Sequence, residues 1–220
     1  MTGCPDGRPP PADRSTDLPT EGSPLAQARP LTLDGFVAGP DGGAPTGPDG
    51  FWTPYDEDTL AHFVAEYPET LPGPAREALG VTAPGTRFDT VLEGRASYET
   101  GLAAGADDAY PHLRHLVFST TLESVPGEAV ELVRGDAVER VRALKREAGK
   151  DLWLVGGGRL AGSLYEEIDR IILKLAPLTA GTGVPLFGAG AAFAPRHWEL
   201  TGHTVLKAGF AHLTYDRKEA

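Results

Sequence analysis

Cysteine is almost absent from this chain, because Cys4 is the only one among 220 residues. A single thiol cannot form a disulfide within the chain, and it cannot supply the sulfur ligands of a cysteine-based zinc site. Long apolar runs are also missing: the most apolar stretch, at 171–187, is interrupted by Lys174, Pro177 and two glycines. The sequence therefore offers no candidate for a membrane-spanning helix.

Basic residues are scarce. The chain has 20 Lys and Arg against 31 Asp and Glu, which gives a net charge of −11 and a pI near 5.0. This balance disfavours a broad nucleic-acid surface and docking on an anionic membrane, since both require clustered basic side chains. The first 24 residues also lack the apolar segment of a signal peptide. We expect a cytoplasmic protein whose partner is a small molecule.

Proline and glycine are unevenly distributed. Residues 1–24 contain six prolines and almost no large apolar side chains, so they cannot bury enough surface to offset the entropy of ordering them. We predict a disordered leader over 1–24 and a single domain over 25–220. A second segment rich in glycine and proline, at 34–54, predicts a long loop, and loops of that length are usually functional or mobile.

The remaining chain alternates short apolar runs with helical patterns, which is typical of an α/β sheet with parallel strand pairs. Residues 25–33 form a weak strand candidate, because Pro30 lacks a backbone donor. Strands are predicted at 90–92, 115–118, 130–133, 151–155 and 170–175, with a closing antiparallel hairpin over 197–206 and 209–216. Helices are predicted over 56–66, from Asp136 and directly after the glycines at 156–158.

The most informative turn follows the strand at 151–155, where Gly156, Gly157 and Gly158 lead directly into a helix. Three glycines allow the backbone to approach a ligand closely, and the free N–H groups at a helix start favour an anion. We interpret the turn as a phosphate site to which Arg159 adds charge. The alternative is a tight strand-to-helix turn without a ligand.

Five segments occur in one order along the chain: 33–42 (LDGFVAGPDG), 88–99 (FDTVLEGRASYE), 116–122 (LVFSTTL), 152–158 (LWLVGGG) and 177–187 (PLTAGTGVPLF). As an ordered set they resemble the dihydrofolate reductase-like family, and more closely its bacterial branch related to the reductase domain of riboflavin biosynthesis. The resemblance covers residues 31–216. It implies a three-layer α/β fold with helices on both faces of a mostly parallel sheet, and an NADPH-dependent reductase.

The resemblance also implies which residues hold the cofactor. The strand-end segment that begins at Gly94 opens a helix against the phosphates, Arg95 and Ser119 meet the 2′-phosphate, and the three glycines hold the pyrophosphate. The full set of cofactor residues predicted in this way is Gly94, Arg95, Ser97, Ser119, Thr120, Gly156, Gly157, Gly158, Arg159 and Leu160.

Two carboxylates are candidates for catalysis. Asp34 is placed beside the nicotinamide by the resemblance, while Asp-Gly is also a common turn dipeptide. Asp58 lies where the family has its proton donor, although an acid in the first turn of a helix is also favoured by the helix dipole. The predicted substrate contacts are Phe36, Trp52 and Tyr98.

Glu93 departs from the family pattern, because relatives commonly carry an apolar residue at this position. A carboxylate at a buried strand end is costly unless it is paired. Either Glu93 faces solvent, or it is a site carboxylate peculiar to this chain.

We therefore expect an NADPH-dependent reductase that transfers hydride to a C=N or C=O bond of a small heterocycle, in a tailoring or self-resistance step of secondary metabolism. Two alternatives remain open: a riboflavin-pathway-type pyrimidine reductase, and a ligand-binding protein of the same fold without catalysis. The histidines form no helical metal-binding pair, so no metal is expected. A homodimer is possible because relatives often form one.

Overall fold

The computed structural model describes residues 22–42 and 55–218, which contain ten strands and five α-helices. The strands are β1 (Leu25–Leu31), β2 (Phe36–Ala38), β3 (Phe88–Gly94), β4 (Arg114–Phe118), β5 (Val130–Val133), β6 (Asp151–Leu154), β7 (Arg170–Leu175), β8 (Val184–Pro185), β9 (Trp198–Val205) and β10 (Ala211–Arg217). The helices are α1 (Glu57–Glu66), α2 (Gly73–Ala78), α3 (Arg95–Ala103), α4 (Ala137–Lys145) and α5 (Gly158–Ser163). Two short 3₁₀ turns lie at Pro68–Thr70 and Tyr165–Glu167.

Eight of the strands form one sheet in the order β5-β4-β3-β6-β1-β7-β10-β9. The first six strands in this order, from β5 at the edge to β7, are parallel to one another. β10 runs antiparallel to both β7 and β9. The mostly parallel sheet with an antiparallel C-terminal hairpin is thus confirmed. The remaining strands, β2 and β8, form a small separate antiparallel pair.

Helices cover both faces of the sheet, as predicted. On one face α4 and α5 bury Val141, Leu144, Leu160 and Leu164 against the leucines of the strands. On the other face lie α1 and α3. Burying both faces explains why the parallel strands have nearly continuous apolar sequences, such as Val91-Leu92 and Leu116-Val117.

The weak strand candidate at 25–33 is β1, in the middle of the sheet. It pairs with β7 along its whole length but with β6 only as far as Gln27. Pro30 therefore lies beyond the part of β1 that pairs on both sides, and its missing donor is tolerated. β6 ends at Leu154, the partner of Gln27, so the last residues of β1 extend past β6 at the carboxyl edge of the sheet.

Two helix starts follow from local side-chain chemistry. The carboxylate of Asp56 accepts the backbone N–H of Thr59 at 3.1 Å before α1, and that of Asp136 accepts from Val138 at 2.8 Å before α4. Such caps satisfy backbone donors that have no partner within the helix. They fix the predicted helix starts at 56 and 136 to within one residue.

The predicted leader over 1–24 lies mostly outside the described residues. Ser23 is described: it is buried, and its backbone N–H donates to the carbonyl of Lys145 at 2.9 Å. The ordered domain thus includes at least the last residues assigned to the leader. Within the described ranges, no helix is both long enough and apolar enough to cross a bilayer.

Candidate functional site

The candidate site lies at the carboxyl edge of the parallel strands. β3, β4 and β6 are parallel neighbours in the sheet. Gly94 ends β3, Ser119 follows β4 and Gly156 follows β6, so the three residues lie at the same edge. In open α/β sheets this edge is where ligands bind, next to the position at which the strand order reverses. The structure thus brings the three predicted cofactor segments together.

Arg95 is the first residue of α3, directly after the N-cap Gly94. Its Nη1 donates to Oγ1 of Thr121 at 3.1 Å, and its Nε lies 3.7 Å from Oε1 of Glu99. Half of the Arg95 side chain is exposed. The guanidinium therefore has a defined position and still faces solvent.

Ser119 builds the turn that Arg95 reaches. Its Oγ accepts the backbone N–H groups of Thr121 at 3.2 Å and Leu122 at 3.0 Å. Thr120 is exposed at the tip of this turn. The sequence analysis assigned Thr120 to the cofactor, whereas the hydroxyl that contacts Arg95 belongs to Thr121, which it missed; spacing along the turn could not distinguish the two.

Two of the three glycines are required by contacts within the protein. A Cβ on Gly156 would lie 2.2 Å from the backbone nitrogen of Gly94, and one on Gly158 would lie 2.6 Å from the carbonyl oxygen of Pro185. Both distances are shorter than any side chain tolerates. These two positions favour the tight-turn interpretation, and they explain how β6 and α5 pack against β3 and β8.

Gly157 differs from its two neighbours. Its φ is +29°, and no atom lies within 4 Å of the place where a Cβ would be. Its N–H donates to Oγ of Ser97 at 3.2 Å, which joins the glycine turn to α3. Next to it Arg159 is exposed, while the buried Leu160 packs beside Gly94. The tight-turn interpretation therefore does not account for Gly157, and the phosphate site stays a prediction at this position.

Asp34 is exposed and fixes a loop. Its carboxylate accepts the N–H of Gly181 at 2.7 Å and that of Ala180 at 3.1 Å. Hydrogen bonds from the Thr32 hydroxyl and from these backbone groups lower the pKa of Asp34 below its ordinary value. An ionised carboxylate with these partners favours the turn interpretation over a role as proton donor.

Asp58 also has a partner. Its Oδ2 lies 2.5 Å from Nζ of Lys207, in the hairpin between β9 and β10, and both side chains are more than half exposed. An exposed ion pair in the first turn of α1 is what the helix-dipole alternative describes.

Of the three predicted substrate contacts, one is wrong. Tyr98 is buried with 2% of its surface exposed, and its hydroxyl donates to the carbonyl of Asp107 at 3.0 Å. It belongs to the core because α3 turns this side chain onto the sheet. Phe36 lies half-buried in β2 and stays a prediction. Trp52 lies outside the described residues.

The question about Glu93 is resolved by a buried ionic cluster. Oε2 of Glu93 lies 2.9 Å from Nε2 of His115, and Nδ1 of His115 lies 2.8 Å from Oδ1 of Asp108. Burial by itself lowers the pKa of His115, but the two carboxylates outweigh it, so the net shift is upward. The two carboxylates thus favour the protonated imidazole, in which both ring nitrogens donate. We call these three residues the carboxylate–histidine cluster.

Arg29 lies on β1, two residues past the last pair that this strand forms with β6. Its Nη1 donates to the carbonyl of Val155, the residue before the glycine turn. Burial lowers the pKa of Arg29, while Tyr110 and Glu93 oppose this effect. The sequence analysis did not identify this contact, because it joins residues 126 positions apart.

The comparisons with known proteins agree with this architecture. Residues 100–211, about half of the chain, match the model of the RibD C-terminal domain family. The chain belongs to the RibD C-terminal domain family. The resemblance stated from the sequence is therefore confirmed at the level of the family.

This RibD C-terminal domain protein is 32% identical over 121 residues to the uncharacterized protein YwjB of Bacillus subtilis (strain 168). The aligned part covers 54% of the chain and 64% of YwjB, so it spans less than two thirds of that relative.

Two solved structures share its fold. One is a putative riboflavin biosynthesis protein from Shewanella sp. PV-4, with a TM-score of 0.62 and 22% identity, covering 89% of this chain and 99% of that one. The other is dihydrofolate reductase from Enterococcus faecalis complexed with NADP(H), with a TM-score of 0.57 and 18% identity, covering 89% and 97%. The dihydrofolate reductase-like fold is thus established.

Proposed function

We propose that this RibD C-terminal domain protein is a reductase that uses NADPH to reduce a C=N or C=O bond of a small heterocyclic substrate. The observation that carries the proposal is the hydrogen bond of 3.2 Å between the Gly157 N–H and the Ser97 hydroxyl. It joins the glycine turn to the start of α3, where Arg95 extends toward Thr121. An open backbone position and a half-exposed guanidinium therefore share one edge of the sheet.

These residues fit the anionic parts of a dinucleotide. A guanidinium can bind a phosphate through two parallel hydrogen bonds, which suits Arg95 to a 2′-phosphate beside the hydroxyls of Ser119 and Thr121. The open side of Gly157 suits the pyrophosphate. When bound, the cofactor supplies the hydride, while the protein binds and orients the reactants. The dihydrofolate reductase from Enterococcus faecalis, which shares the fold, is complexed with NADP(H), and this supports the same cofactor class.

The substrate is proposed to be a heterocycle other than folate. Glu93 and its partner His115 occupy strand positions beside the glycine turn with buried charge, which departs from the family pattern described above. This departure supports a specialised reduction, such as a tailoring or self-resistance step in secondary metabolism.

Fluorescence titration tests the cofactor assignment. The tryptophan emission of the full chain, to which Trp153 on β6 next to the glycine turn contributes, is recorded as NADPH or NADH is added. We expect Arg95→Ala to weaken NADPH binding about tenfold, the equivalent of roughly 1.4 kcal/mol, and NADH binding much less. Arg146→Ala is the matched control, because this exposed arginine follows α4 at the opposite edge of the sheet.

Two outcomes contradict the proposal. An absence of any change in emission at saturating NADPH excludes the reductase. An equal loss of NADPH and NADH affinity in Arg95→Ala refutes the assignment of Arg95 to the 2′-phosphate, since NADH lacks that group.

Two other functions have support. Membership of the RibD C-terminal domain family favours a reductase of a ribosylated pyrimidine. The engagement of both Asp34 and Asp58 in other contacts favours a protein that binds the cofactor without turnover. Cofactor binding without oxidation of NADPH in the presence of any candidate imine, ketone or aminopyrimidine ribotide would favour the binding protein.

A further inference from the structure

The eight-stranded sheet ends on one side at β9, and among the described residues no strand pairs with the outer edge of β9. β9 has eight residues, WELTGHTV, and contains neither lysine nor proline. Both of these residues commonly protect a strand edge from pairing with another chain. The strand at the other end, β5, has only four residues, and its Glu131 forms ion pairs with Arg114 and Arg140. Of the two ends of the sheet, β9 is therefore the one that offers a long strand for pairing.

Apolar side chains are exposed along β9. Leu200 is 48% exposed and Val205 is 72% exposed. Leu200 is the register partner of Tyr215 on β10, and Val205 is the partner of Ala211. Tyr215 and Trp198 both pack against the core beneath α4 and α5. Because side chains two residues apart on a strand point to one face, Trp198, Leu200 and Val205 lie on the face that carries these two helices.

A further exposed apolar side chain lies just before β9. Phe193 is 96% exposed, although the loop that carries it has fixed contacts: the Tyr165 hydroxyl donates to the carbonyl of Ala194 at 3.0 Å. Five large apolar side chains are exposed among the described residues, and three of them lie within 193–205. Exposed apolar side chains that cluster in this way indicate a surface that binds another protein.

The backbone groups that point outward from β9 follow from its hydrogen bonds to β10. The carbonyl of residue 197 accepts from β10 at 3.2 Å, and the N–H of residue 206 donates to β10 at 2.8 Å. Alternate residues of an antiparallel strand face opposite sides. The alternation can be counted inward from both ends, and it changes phase at the bulge around Thr201. The residues that face outward are Trp198, Leu200, His203 and Val205.

A second copy of the chain fits this edge when β9 pairs with itself. About a two-fold axis between Thr201 and Gly202, an antiparallel pair places Trp198 opposite Val205 of the second copy, and Leu200 opposite His203 of the second copy. All four outward residues then exchange backbone hydrogen bonds with outward residues. An axis perpendicular to the sheet also keeps the apolar side chains of both copies on one face. One strand thus supplies both sides of the register, as a two-fold interface requires.

The charges along β9 permit the same pairing. Its ionisable side chains are Glu199 and His203. In this register Glu199 lies opposite Thr204 of the second copy, and the two Glu199 residues are five positions apart, roughly 17 Å along the strand. Like charges directly opposite each other would be destabilising. The chain carries a net charge of −11, so an edge where no carboxylate meets another is well suited to a second copy.

We propose that this protein forms a two-fold symmetric dimer through β9, in which the two eight-stranded sheets become one continuous sheet. The proposal goes beyond the proposed function and does not depend on it. β9 is separated from β6, which leads into the glycine turn, by β1, β7 and β10. Each copy therefore keeps its own cofactor edge.

Sedimentation equilibrium of the full chain tests the assembly. We expect twice the mass of one chain, which is 23.2 kDa. Leu200→Lys should raise the dissociation constant of the dimer about a hundredfold, since the change occurs twice in a two-fold interface and each buried leucine contributes about tenfold. Leu79→Lys is the matched control, because Leu79 is 46% exposed and lies at the end of α2. It should leave the constant unchanged.

Cross-linking between two variant chains tests the register. Both chains carry Cys4→Ser, one carries Leu200→Cys as well, and the other carries His203→Cys. Hydrogen-bonded partners in an antiparallel pair have Cα atoms about 5.5 Å apart, which suits a disulfide. We expect a covalent dimer when the mixture is oxidised and none from either variant alone. In this register, residue 200 of one copy lies three positions from residue 200 of the other, roughly 10 Å away.

The outcomes decide between the possible occupants of the edge. A monomer at all concentrations up to about 0.1 mM overturns the proposal. If the amides of Leu200 and His203 resist hydrogen exchange in that monomer, another part of the same chain covers the edge; if they exchange freely, the edge is open. A dimer that Leu200→Lys leaves intact uses a different surface, which also overturns the proposal. Loss of the dimer in Leu200→Lys without the mixed disulfide overturns the antiparallel pairing.

Discussion

Two groups of buried ionisable side chains lie on the same face of the sheet, and they are built differently. In the carboxylate–histidine cluster, both nitrogens of His115 have a carboxylate partner, at 2.9 and 2.8 Å. In the second group, formed by Lys174, His212 and His62, Nε2 of His212 has no partner among the described residues. The Lys174 ammonium lies against aromatic rings and is attracted by Glu69 without forming an ion pair among those residues.

The difference lies in how completely the polar atoms of each group are paired. A fully paired buried network makes one arrangement of the chain rigid, and Glu93 applies that rigidity directly before the N-cap of α3. A partly paired network costs free energy, and natural proteins retain such groups mainly at functional sites. The first cluster therefore holds the end of β3 in one arrangement, while the second is held by fewer polar contacts.

The largest effect should come from breaking the paired cluster. Glu93→Gln removes one of the two charges that balance the His115 cation, and a buried charge without its partner is costly. We expect a loss of about 3 kcal/mol in the free energy of unfolding, measured by urea denaturation. The same change at the exposed Glu77 should leave the midpoint unaltered. A loss below about 1 kcal/mol for Glu93→Gln would mean that this cluster is no more tightly coupled than the second one.

Next in size is the acid response of His212. Its folded-state pKa of about 4 lies below the ordinary value of 6.5, so as the pH falls through this range the unfolded chain takes up the proton first. The free energy of unfolding therefore falls as the pH drops from 6.5 to 4. At pH 5 the lowered pKa of His212 accounts for a loss of about 2 kcal/mol. His212→Gln should remove this loss, so the urea midpoints at pH 7 and pH 5 should differ less in the variant than in the original chain.

The paired cluster should respond with the opposite sign. The pKa of His115 is raised in the folded state, so its contribution is fully present below pH 6.5 and is lost as the pH rises through the folded value. His115→Gln should therefore flatten the alkaline side of the stability profile. If both histidine variants altered the free energy of unfolding on the same side of the pH profile, the contrast between the two groups would be wrong.

A smaller effect is expected when Lys174 becomes Met. This change removes a poorly paired ammonium and keeps a long apolar side chain against Phe63 and Tyr67, so we expect a gain of about 1 kcal/mol in unfolding free energy. NADPH affinity should not change, because Lys174 lies away from the glycine turn. Destabilisation by more than about 1 kcal/mol would indicate that the cation–ring contacts are structural.

The smallest effect should come from the exposed ion pair. Asp58→Asn removes a carboxylate that lies in solvent opposite Lys207, and such pairs contribute little to stability. We expect the thermal midpoint and any reductase activity to remain unchanged. A large loss of activity with an unchanged midpoint would favour Asp58 as the proton donor.

Local sequence patterns predicted the architecture well. The alternation of apolar runs and helical patterns indicated the parallel strands, and the caps at Asp56 and Asp136 indicated where two helices begin. The position of residues 25–31 at the centre of the sheet could not be read in this way, because Pro30 weakens the local strand signal. Its centrality follows from contacts with β6 and β7, which lie more than 120 residues away in sequence.

The candidate site was predicted only in part. Gly94, Arg95, Ser119 and Gly157 lie at one edge, as the family segments implied, but Tyr98 is in the core. A side chain one turn into a helix can face either the ligand or the sheet, and local spacing does not distinguish these directions.

The glycines show the same limit. Gly156 and Gly158 are identical in sequence to Gly157, but they are required by backbone contacts with Gly94 and Pro185, and only Gly157 of the three has open space beside it.

The sequence by itself determined most of the segments that become strands and helices, and the order in which the predicted cofactor residues follow one another, since these depend on periodicity, caps and turns over a few residues. Only the tertiary structure decided which charges are paired. The partners of His115 come from β3 and from the loop before β4, while Lys174 received aromatic rings from α1 and no carboxylate. The charge balance of a buried group depends on side chains within a few ångströms in space, and separation along the chain gives no measure of that distance.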